Sequence, residues 1–168
     1  MDLITLEALQ TFPKQLAAHY AAIPTGFKHW APPSWEGIPS EHFTAIEQIC
    51  HVRDIEIDGY QIRFARTVSE ANPTLPGLDS EGLAKARSYE TADAAKVLEA
   101  FAEARLATLA FLVSRPPEEL KRPAFFEGYG HTSLRGLVHY LCSHDQQHLA
   151  GMQWLLGQIT DLVLREHK

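Results

Sequence analysis

The sequence predicts an all-α protein, a four-helix bundle with long connections. Apolar residues recur at helical spacing in four segments, and stretches rich in proline and glycine separate these segments. The chain shows no convincing alternation of apolar and polar residues that would indicate a β-strand. Its 168 residues, 45% of them hydrophobic, have the size and apolar content of one domain. We therefore expect residues 1–168 to form a single bundle domain.

The first two predicted helices flank a long irregular connection. Helix 1 ends before Pro24, and Pro13 either lies in its first turn or marks a kink. The apolar positions of helix 1 are Leu3, Leu6, Leu9, Leu16 and Tyr20. The segment "HWAPPSWEGIPS" cannot be regular, and Ser40 is a candidate N-cap for the helix that follows. Helix 2 is expected from about Glu41 to near Glu70, which makes a rod of about 45 Å at ~1.5 Å per residue.

Two further connections precede the last two predicted helices. The segment "ANPTLPGLDSEG" interrupts the helical pattern, which resumes between about Tyr89 and Pro116 as helix 3. The second connection, "RPPEELKRPAFFEGYGHT", has room for a short turn or hairpin around Phe125 to Tyr129. Thr132 or Ser133 can cap helix 4. The apolar positions of helix 4 are Leu134, Leu137, Leu141, Leu149, Met152 and Leu156.

Charge and composition exclude several classes of protein. The formal net charge of −6, with scattered basic residues, gives no electrostatic footprint for nucleic acid. The cysteines Cys50 and Cys142 are far apart and form no C-x-x-C motif, which favours a reducing compartment. The N-terminus lacks the pattern of a signal peptide, and no apolar stretch approaches the roughly 20 residues of a membrane span. We expect a cytoplasmic protein that binds neither nucleic acid nor membranes.

Two histidines in "SHDQQHLAGMQWLL" suggest a metal site. His144 and His148 are one helical turn apart, so both project from the face that also carries Leu141. Two imidazoles so placed can bind one metal ion, at about 2.0 to 2.1 Å for zinc. Alternatively, both are core histidines whose polar nitrogens are satisfied by other groups. His51, in the middle of helix 2, is a candidate third ligand, and three imidazoles would leave positions open for water or substrate.

Two motifs resemble the DinB-like superfamily. The segment "HVRDIE", which begins at His51, is similar to the H-L-x-D-x-E element of that family, and "HDQQHLAGMQ" is similar to its H-D-x-x-H-L-x-Q element. The resemblance implies a four-helix bundle that holds a divalent metal ion, zinc, nickel or iron. The resemblance also implies that the three metal ligands are His51, His144 and His148. One departure is visible, because Gly151 stands where the family commonly has glutamine, and neither it nor Gln153 is assigned a role.

The resemblance also implies a range of activities. Similar proteins include thiol S-transferases, which use the metal to activate a low-molecular-weight thiol such as bacillithiol or glutathione, and mycothiol-dependent isomerases. A thiol bound to a metal is deprotonated, which supplies a thiolate nucleophile at neutral pH. The same kind of site can activate water to hydrolyse an ester or amide. A non-catalytic metal-binding stress or interaction protein is the remaining alternative. We expect a small-molecule substrate, a thiol cosubstrate and a homodimer, the commonest homo-oligomer.

Four other side chains are candidates for the site. Asp54 or Asp145 can accept the second ring N–H of a ligand histidine, and Glu47 can act as a general base, although each can equally be a surface carboxylate. Arg105 can hold an anionic thiol, with an exposed arginine as the alternative. The remaining histidines and both cysteines are expected to lie off the metal face: His19, His29, His42, His131, His139, His167, Cys50 and Cys142.

Overall fold

Four long helical segments pack side by side in the computed structural model, which describes residues 2–166. They are α1 (Leu3–Ala22), α2 (Ala45–Asp54) with its continuation α3 (Gln61–Ser69), α5 (Ala94–Val113) and α6 (Leu134–Glu166), while the short helix α4 (Ser80–Ala86) lies between α3 and α5. The prediction of a four-helix bundle is confirmed. His167 lies outside the described residues. Among residues 2–166, no helix combines the length and the apolar character that crossing a membrane requires.

Helix α1 contains a proline and still packs as one helix. The carboxylate of Asp2 caps its start by accepting a hydrogen bond from the Thr5 amide at 2.9 Å. Pro13 lies within the helix, well past the first turn, and α1 ends at Ala22 as predicted from Pro24. The apolar positions Leu9, Phe12 and Leu16 are fully buried, which fixes the face of α1 that meets the rest of the bundle.

Helix α2 begins later than the sequence suggests. Its N-cap is Thr44, because the backbone N–H and the hydroxyl of Thr44 donate to Glu47 Oε2 at 2.9 and 2.6 Å, a capping box across three residues. The prediction of Ser40 as the cap is therefore wrong, and Glu47 stabilises a helix start instead of acting as a base. The end of the rod at Ser69 agrees with the end predicted near Glu70.

A π-helical turn, Ile55–Tyr60, joins α2 to α3. A π turn accommodates about one extra residue, so the side chains that follow it are rotated by about 100° relative to an uninterrupted α-helix. Ile55, Glu56, Gly59 and Tyr60 are buried within this turn. The predicted helix 2 is thus one rod with a break in its helical phase.

A small three-stranded sheet covers one end of the bundle. Strand β1 (Thr74–Leu75) runs parallel to β2 (Pro123–Phe126), and β2 pairs antiparallel with β3 (Gly130–Ser133). The sequence shows no alternation here because strands of two to four residues are too short to display it. The hairpin between β2 and β3 does fall where the sequence leaves room for one.

The last two long helices start at polar caps. Helix α5 begins at Ala94, later than Tyr89, because Asp93 Oδ1 accepts from the Ala95 amide at 3.0 Å and fixes the start there. It ends at Val113, before the predicted Pro116. Helix α6 follows β3 directly, and the Ser133 hydroxyl accepts from the Gly136 amide at 3.2 Å, as predicted for its cap.

Candidate metal centre

Three imidazoles and one carboxylate converge between α2 and α6. His144 Nε2 lies 3.2 Å from His51 Nε2 and 3.2 Å from His148 Nε2. Glu41, on the connection before α2, places one carboxylate oxygen 3.4 Å from His51 Nε2 and the other 3.2 Å from His148 Nε2. All four ligand atoms lie within 4.8 Å of one another. The structure therefore brings the three predicted histidines together and adds Glu41 to them.

The spacing and chemistry of this cluster fit a divalent metal ion. Ligand atoms placed tetrahedrally at 2.0 to 2.1 Å from zinc are about 3.3 Å from one another, close to the nitrogen separations observed. His144 Nε2 faces two other ring nitrogens and can donate to only one of them, so hydrogen bonds alone cannot satisfy the group. Glu41 Oε2 is buried and has no hydrogen-bond partner, despite its contact with His148. A cation would satisfy all of these atoms at once.

The charge states of the cluster also suit a metal. Burial, together with the neighbouring imidazoles, holds the pKa of His144 well below its usual value. Burial likewise lowers the pKa of His148, against the opposing effect of Glu41. Both rings are therefore neutral at pH 7, the form that binds metal. Burial raises the pKa of Glu41, but contacts with His148 and His51 outweigh it and hold the pKa below its usual range.

Gln48 orients one of the histidines. His148 Nδ1–H donates to Gln48 Oε1 at 3.1 Å, which leaves the lone pair of Nε2 directed at the cluster. Both side chains are fully buried. Gly151 lies against Gln48, and a Cβ atom at Gly151 would come within 2.8 Å of Gln48 Oε1. Sequence reasoning missed Gln48, although its position three residues before His51 places both on one helical face.

The two carboxylates proposed as partners of the ligand histidines have other roles. Asp54 accepts from the Tyr89 hydroxyl at 2.6 Å and from Arg53 Nε at 2.7 Å. Asp145 accepts from Arg105 at 2.7 and 3.0 Å. Because their oxygens are directed at these donors, neither carboxylate bonds to the ring of a clustered histidine, and the prediction for both is wrong.

Arg105 does not face the cluster either. It is 1% exposed and donates to both oxygens of Glu56, to both oxygens of Asp145 and to the Leu9 carbonyl. These five bonds use every N–H that a guanidinium carries. No donor is left for an anionic thiol, so both alternatives considered for Arg105, a thiol-binding residue and an exposed one, are wrong.

A cavity of about 160 Å³ opens beside the cluster. His144 and Glu41 form one part of its wall, and Tyr60, Arg63 and Phe126 form another. A small molecule can therefore reach the cluster. A wider surface groove of about 540 Å³ lies between α1 and α5, and none of the four clustered residues lines it.

Most of the other candidates lie where the sequence placed them, off the metal face. Cys50 is fully buried, and burial raises the pKa of its thiol to about 11, so the thiol is protonated at neutral pH. His42 stacks on Trp35, with ring centroids 5.7 Å apart, and His131 packs edge-on against Phe125. These residues supply no reactive group to the cluster.

The comparisons with known proteins agree with this fold. A sequence model described as the DinB superfamily matches residues 8–152. The solved structure of YfiT from Bacillus subtilis, described as a probable metal-dependent hydrolase with an unusual four-helix bundle topology, superposes with a TM-score of 0.80. The two sequences are 18% identical, and the alignment covers 93% of this chain and 86% of YfiT. No curated protein matches the chain. The family match spans most of the sequence, and the chain belongs to the DinB superfamily.

Proposed function

We propose that this protein is a metal-dependent thiol S-transferase with His51, His144 and His148 as metal ligands. The observation that supports the proposal is the cavity, which reaches the three converging imidazoles at His144. A divalent ion held there lowers the pKa of a thiol or water that it contacts, so a nucleophile is available at neutral pH. Zinc, nickel and iron all suit such a donor set.

Glu41 borders the cluster from the wall of the cavity. Its side chain is 41% exposed, and its two oxygens lie 3.4 Å from His51 Nε2 and 3.2 Å from His148 Nε2. We assign Glu41 to the cluster as a negative charge beside the ion, because its lowered pKa makes it a weak proton acceptor. In the transfer, the thiol sulfur forms a bond to an electrophilic carbon, and the bond from that carbon to the leaving group breaks. The leaving group departs with the bonding electron pair, and the thiol proton passes to solvent through the cavity.

A hydrolase is the second candidate. The small open cavity favours it, since water can reach His144 as readily as a thiol can, and a bound ion would lower the pKa of that water. The description of the structural relative YfiT points in the same direction. In this case the substrate is an ester or an amide and needs no thiol. A non-catalytic metal-binding protein is the third candidate, and an absence of turnover would favour it.

Metal content is the first test. Mass spectrometry on tag-free protein is expected to find about one divalent ion per chain in the wild type and none in His144→Ala. The matched control is His139→Ala, which removes a half-exposed imidazole of the same helix. Its metal content is expected to equal that of the wild type. A wild-type protein that takes up no ion even after reconstitution would contradict every metal-dependent candidate.

Turnover then separates the candidates. Metal-loaded protein is mixed with glutathione or bacillithiol and an electrophile such as monochlorobimane. The proposal requires a saturable rate that is lost in His148→Ala while the circular dichroism spectrum stays unchanged. Hydrolysis of an ester or amide without a thiol would contradict the transferase proposal and favour the hydrolase.

The same samples test the proposed homodimer, because light scattering should give twice the mass of one chain.

A further inference from the structure

Arg63 is a buried cation that has no acidic partner among residues 2–166. It lies in α3 and is 5% exposed. Nη2 donates to the Pro76 carbonyl at 3.1 Å, whereas Nε is buried and has no acceptor. In the part of the chain that the structure describes, residues 2–166, no carboxylate oxygen lies within 4.0 Å of a guanidinium nitrogen of Arg63, so Arg63 forms no ion pair there. The contrast with Arg105 is complete, since every N–H of Arg105 is satisfied by a buried acceptor.

Aromatic rings hold the Arg63 side chain in place. The guanidinium carbon lies 4.5 Å from the ring centroid of Phe126 and 5.1 Å from that of Tyr60. Ring faces stabilise a cation, but they do not satisfy N–H groups that lie in the guanidinium plane. Gly59 permits this arrangement, because a Cβ atom there would lie 2.8 Å from Arg63 Nη1. The fold thus fixes a charged group and leaves part of its hydrogen-bonding capacity unused.

Arg63 lines the same cavity as His144 and Glu41. Two acidic residues also line this cavity, but each has an interaction elsewhere. Glu41 faces the imidazoles, and Glu127 is exposed and accepts from the Gly77 amide at 3.3 Å. A volume of about 160 Å³ is that of about five water molecules. The cavity therefore suits a small ligand, or one end of a larger one, with a positive charge facing it from Arg63.

We propose that Arg63 binds a carboxylate of the small-molecule ligand and so orients that ligand with its reactive atom toward the histidine cluster. A planar guanidinium matches a carboxylate through paired charge-assisted hydrogen bonds. The carboxylate belongs either to the thiol or to the molecule that accepts it, and this assignment rests on the proposed function. The anion site itself rests on Arg63 and holds for a hydrolase as well.

The first experiment compares propionate with propionamide, which have similar size and differ in charge. Ligand-observed NMR on the full, metal-loaded chain is expected to give a Kd at least about tenfold lower for propionate, as expected for one charge-assisted interaction. Arg63→Gln should abolish this preference. Arg66→Gln is the matched control, because Arg66 is a half-exposed arginine of the same helix, paired with Glu70. A preference that persists in Arg63→Gln would overturn the proposal.

Two further measurements keep the test independent of metal and of the variant's folding. The propionate preference is expected to persist in metal-free wild type, since Arg63 is not a metal ligand, and its loss there would overturn the proposal. In isotopically labelled wild type, the Arg63 Nε–H resonance should shift with propionate and not with propionamide. An unshifted resonance would also contradict the anion site, whether or not Arg63→Gln folds.

The second experiment identifies the source of the carboxylate. Cobalt-loaded protein is titrated with 3-mercaptopropionate or 3-mercaptopropionamide, and the sulfur-to-cobalt charge-transfer absorption reports thiol binding. At least tenfold tighter binding of the acid, lost in Arg63→Gln, places the carboxylate on the thiol. Equal binding of the two thiols, with the propionate preference intact, places it on the acceptor. No absorption with either thiol would contradict the transferase and leave the propionate result standing.

Discussion

One amide oxygen decides which nitrogen of His148 faces the cluster. Gln48 Oε1 accepts the Nδ1–H of His148, so the lone pair on Nε2 is free to bind a cation. Loss of such an outer contact typically lowers metal affinity about 10- to 100-fold. We expect Gln48→Leu to lower the affinity by a factor in this range in a competition titration with a chelator. Gln61→Leu is the control, since Gln61 bonds to the Ala104 carbonyl outside the cluster.

Gly151 offers an independent way to disturb the same contact. A methyl group at Gly151 would displace Gln48 or Ser40, because its Cβ would lie 2.8 Å from Gln48 Oε1 and closer still to the Ser40 hydroxyl. We expect Gly151→Ala to weaken metal binding in the same direction as Gln48→Leu. Gly157→Ala in the same helix is the matched control, since a Cβ there has nothing within 4 Å. Unchanged affinity in Gly151→Ala would contradict this prediction and would show that Ser40 moves while Gln48 keeps its place.

Part of the site was predictable from single residues, and part was not. The helical spacing of His144 and His148 placed both on one face, the position of His51 in the middle of helix 2 made it a candidate third ligand, and the motif resemblance implied all three. Glu41 was missed because the sequence placed it inside helix 2, whereas the capping box at Thr44 leaves it on a connection that turns toward the imidazoles. Gln48 was missed because a neutral amide in a helix gives no signal of its own.

At the scale of elements, the π turn controls what the long rod presents to the cavity. Arg63 follows His51 by twelve residues, which in a regular α-helix would separate them by about 120°. With one residue inserted at Ile55–Tyr60, Arg63 takes the place of the eleventh residue, about 20° from His51. The rod therefore directs a metal ligand and a cation toward one region. An analysis that assumes a constant helical period places Arg63 and His51 on different faces, so the sequence did not indicate Arg63.

Removing one residue from the π turn should separate these two functions. Deletion of Ile57, which is 36% exposed, is expected to restore a regular α-helix and turn Arg63 away from the cavity. Metal content should be retained in the folded fraction, because His51 lies before the turn, while the propionate preference should be lost by NMR. Ile57→Ala, which keeps the chain length, should behave as wild type. Retention of the preference in the deletion variant would contradict this role of the π turn.

The four long helices were predictable because their apolar spacing extends over many residues, and packing confirms their faces. The ends of these helices were less predictable, because caps such as Thr44 and Asp93 lie in polar stretches that are compatible with either a helix or a loop. The sequence left room for the local hairpin of β2 and β3, but strand β1 was not predictable. It pairs with a distant segment through backbone hydrogen bonds, such as the one from the Phe125 amide to the Pro73 carbonyl, and such pairing leaves no local pattern.

At the scale of the whole molecule, Arg105 joins four parts of the bundle. From α5 it bonds to Glu56 in the π turn, to Asp145 in α6 and to the Leu9 carbonyl in α1. Arg105→Met would leave two buried carboxylates without their cation. Breaking a buried pair in this way typically costs about 3 to 5 kcal/mol. We expect a decrease of that size in the free energy of unfolding, measured with urea.

The control for this prediction is Arg66→Met, which breaks the i,i+4 ion pair with Glu70 on the surface of α3. A surface pair of this kind contributes about 1 kcal/mol at most. A decrease below about 1 kcal/mol in Arg105→Met would show that the two carboxylates find other partners or take up protons.

The placement of the cluster also has a consequence for the order of synthesis. His51 and His144 are separated by 93 residues, and His148 comes one turn later still. At about 5 to 20 residues per second, the ribosome delivers His144 several seconds after His51. A nascent chain that ends before α6 cannot assemble the cluster. An ion that binds only the assembled cluster stabilises the complete fold by about 2.7 kcal/mol when the free ion is present at 100 times its Kd. The same ion does not stabilise the shorter chains that precede it during synthesis.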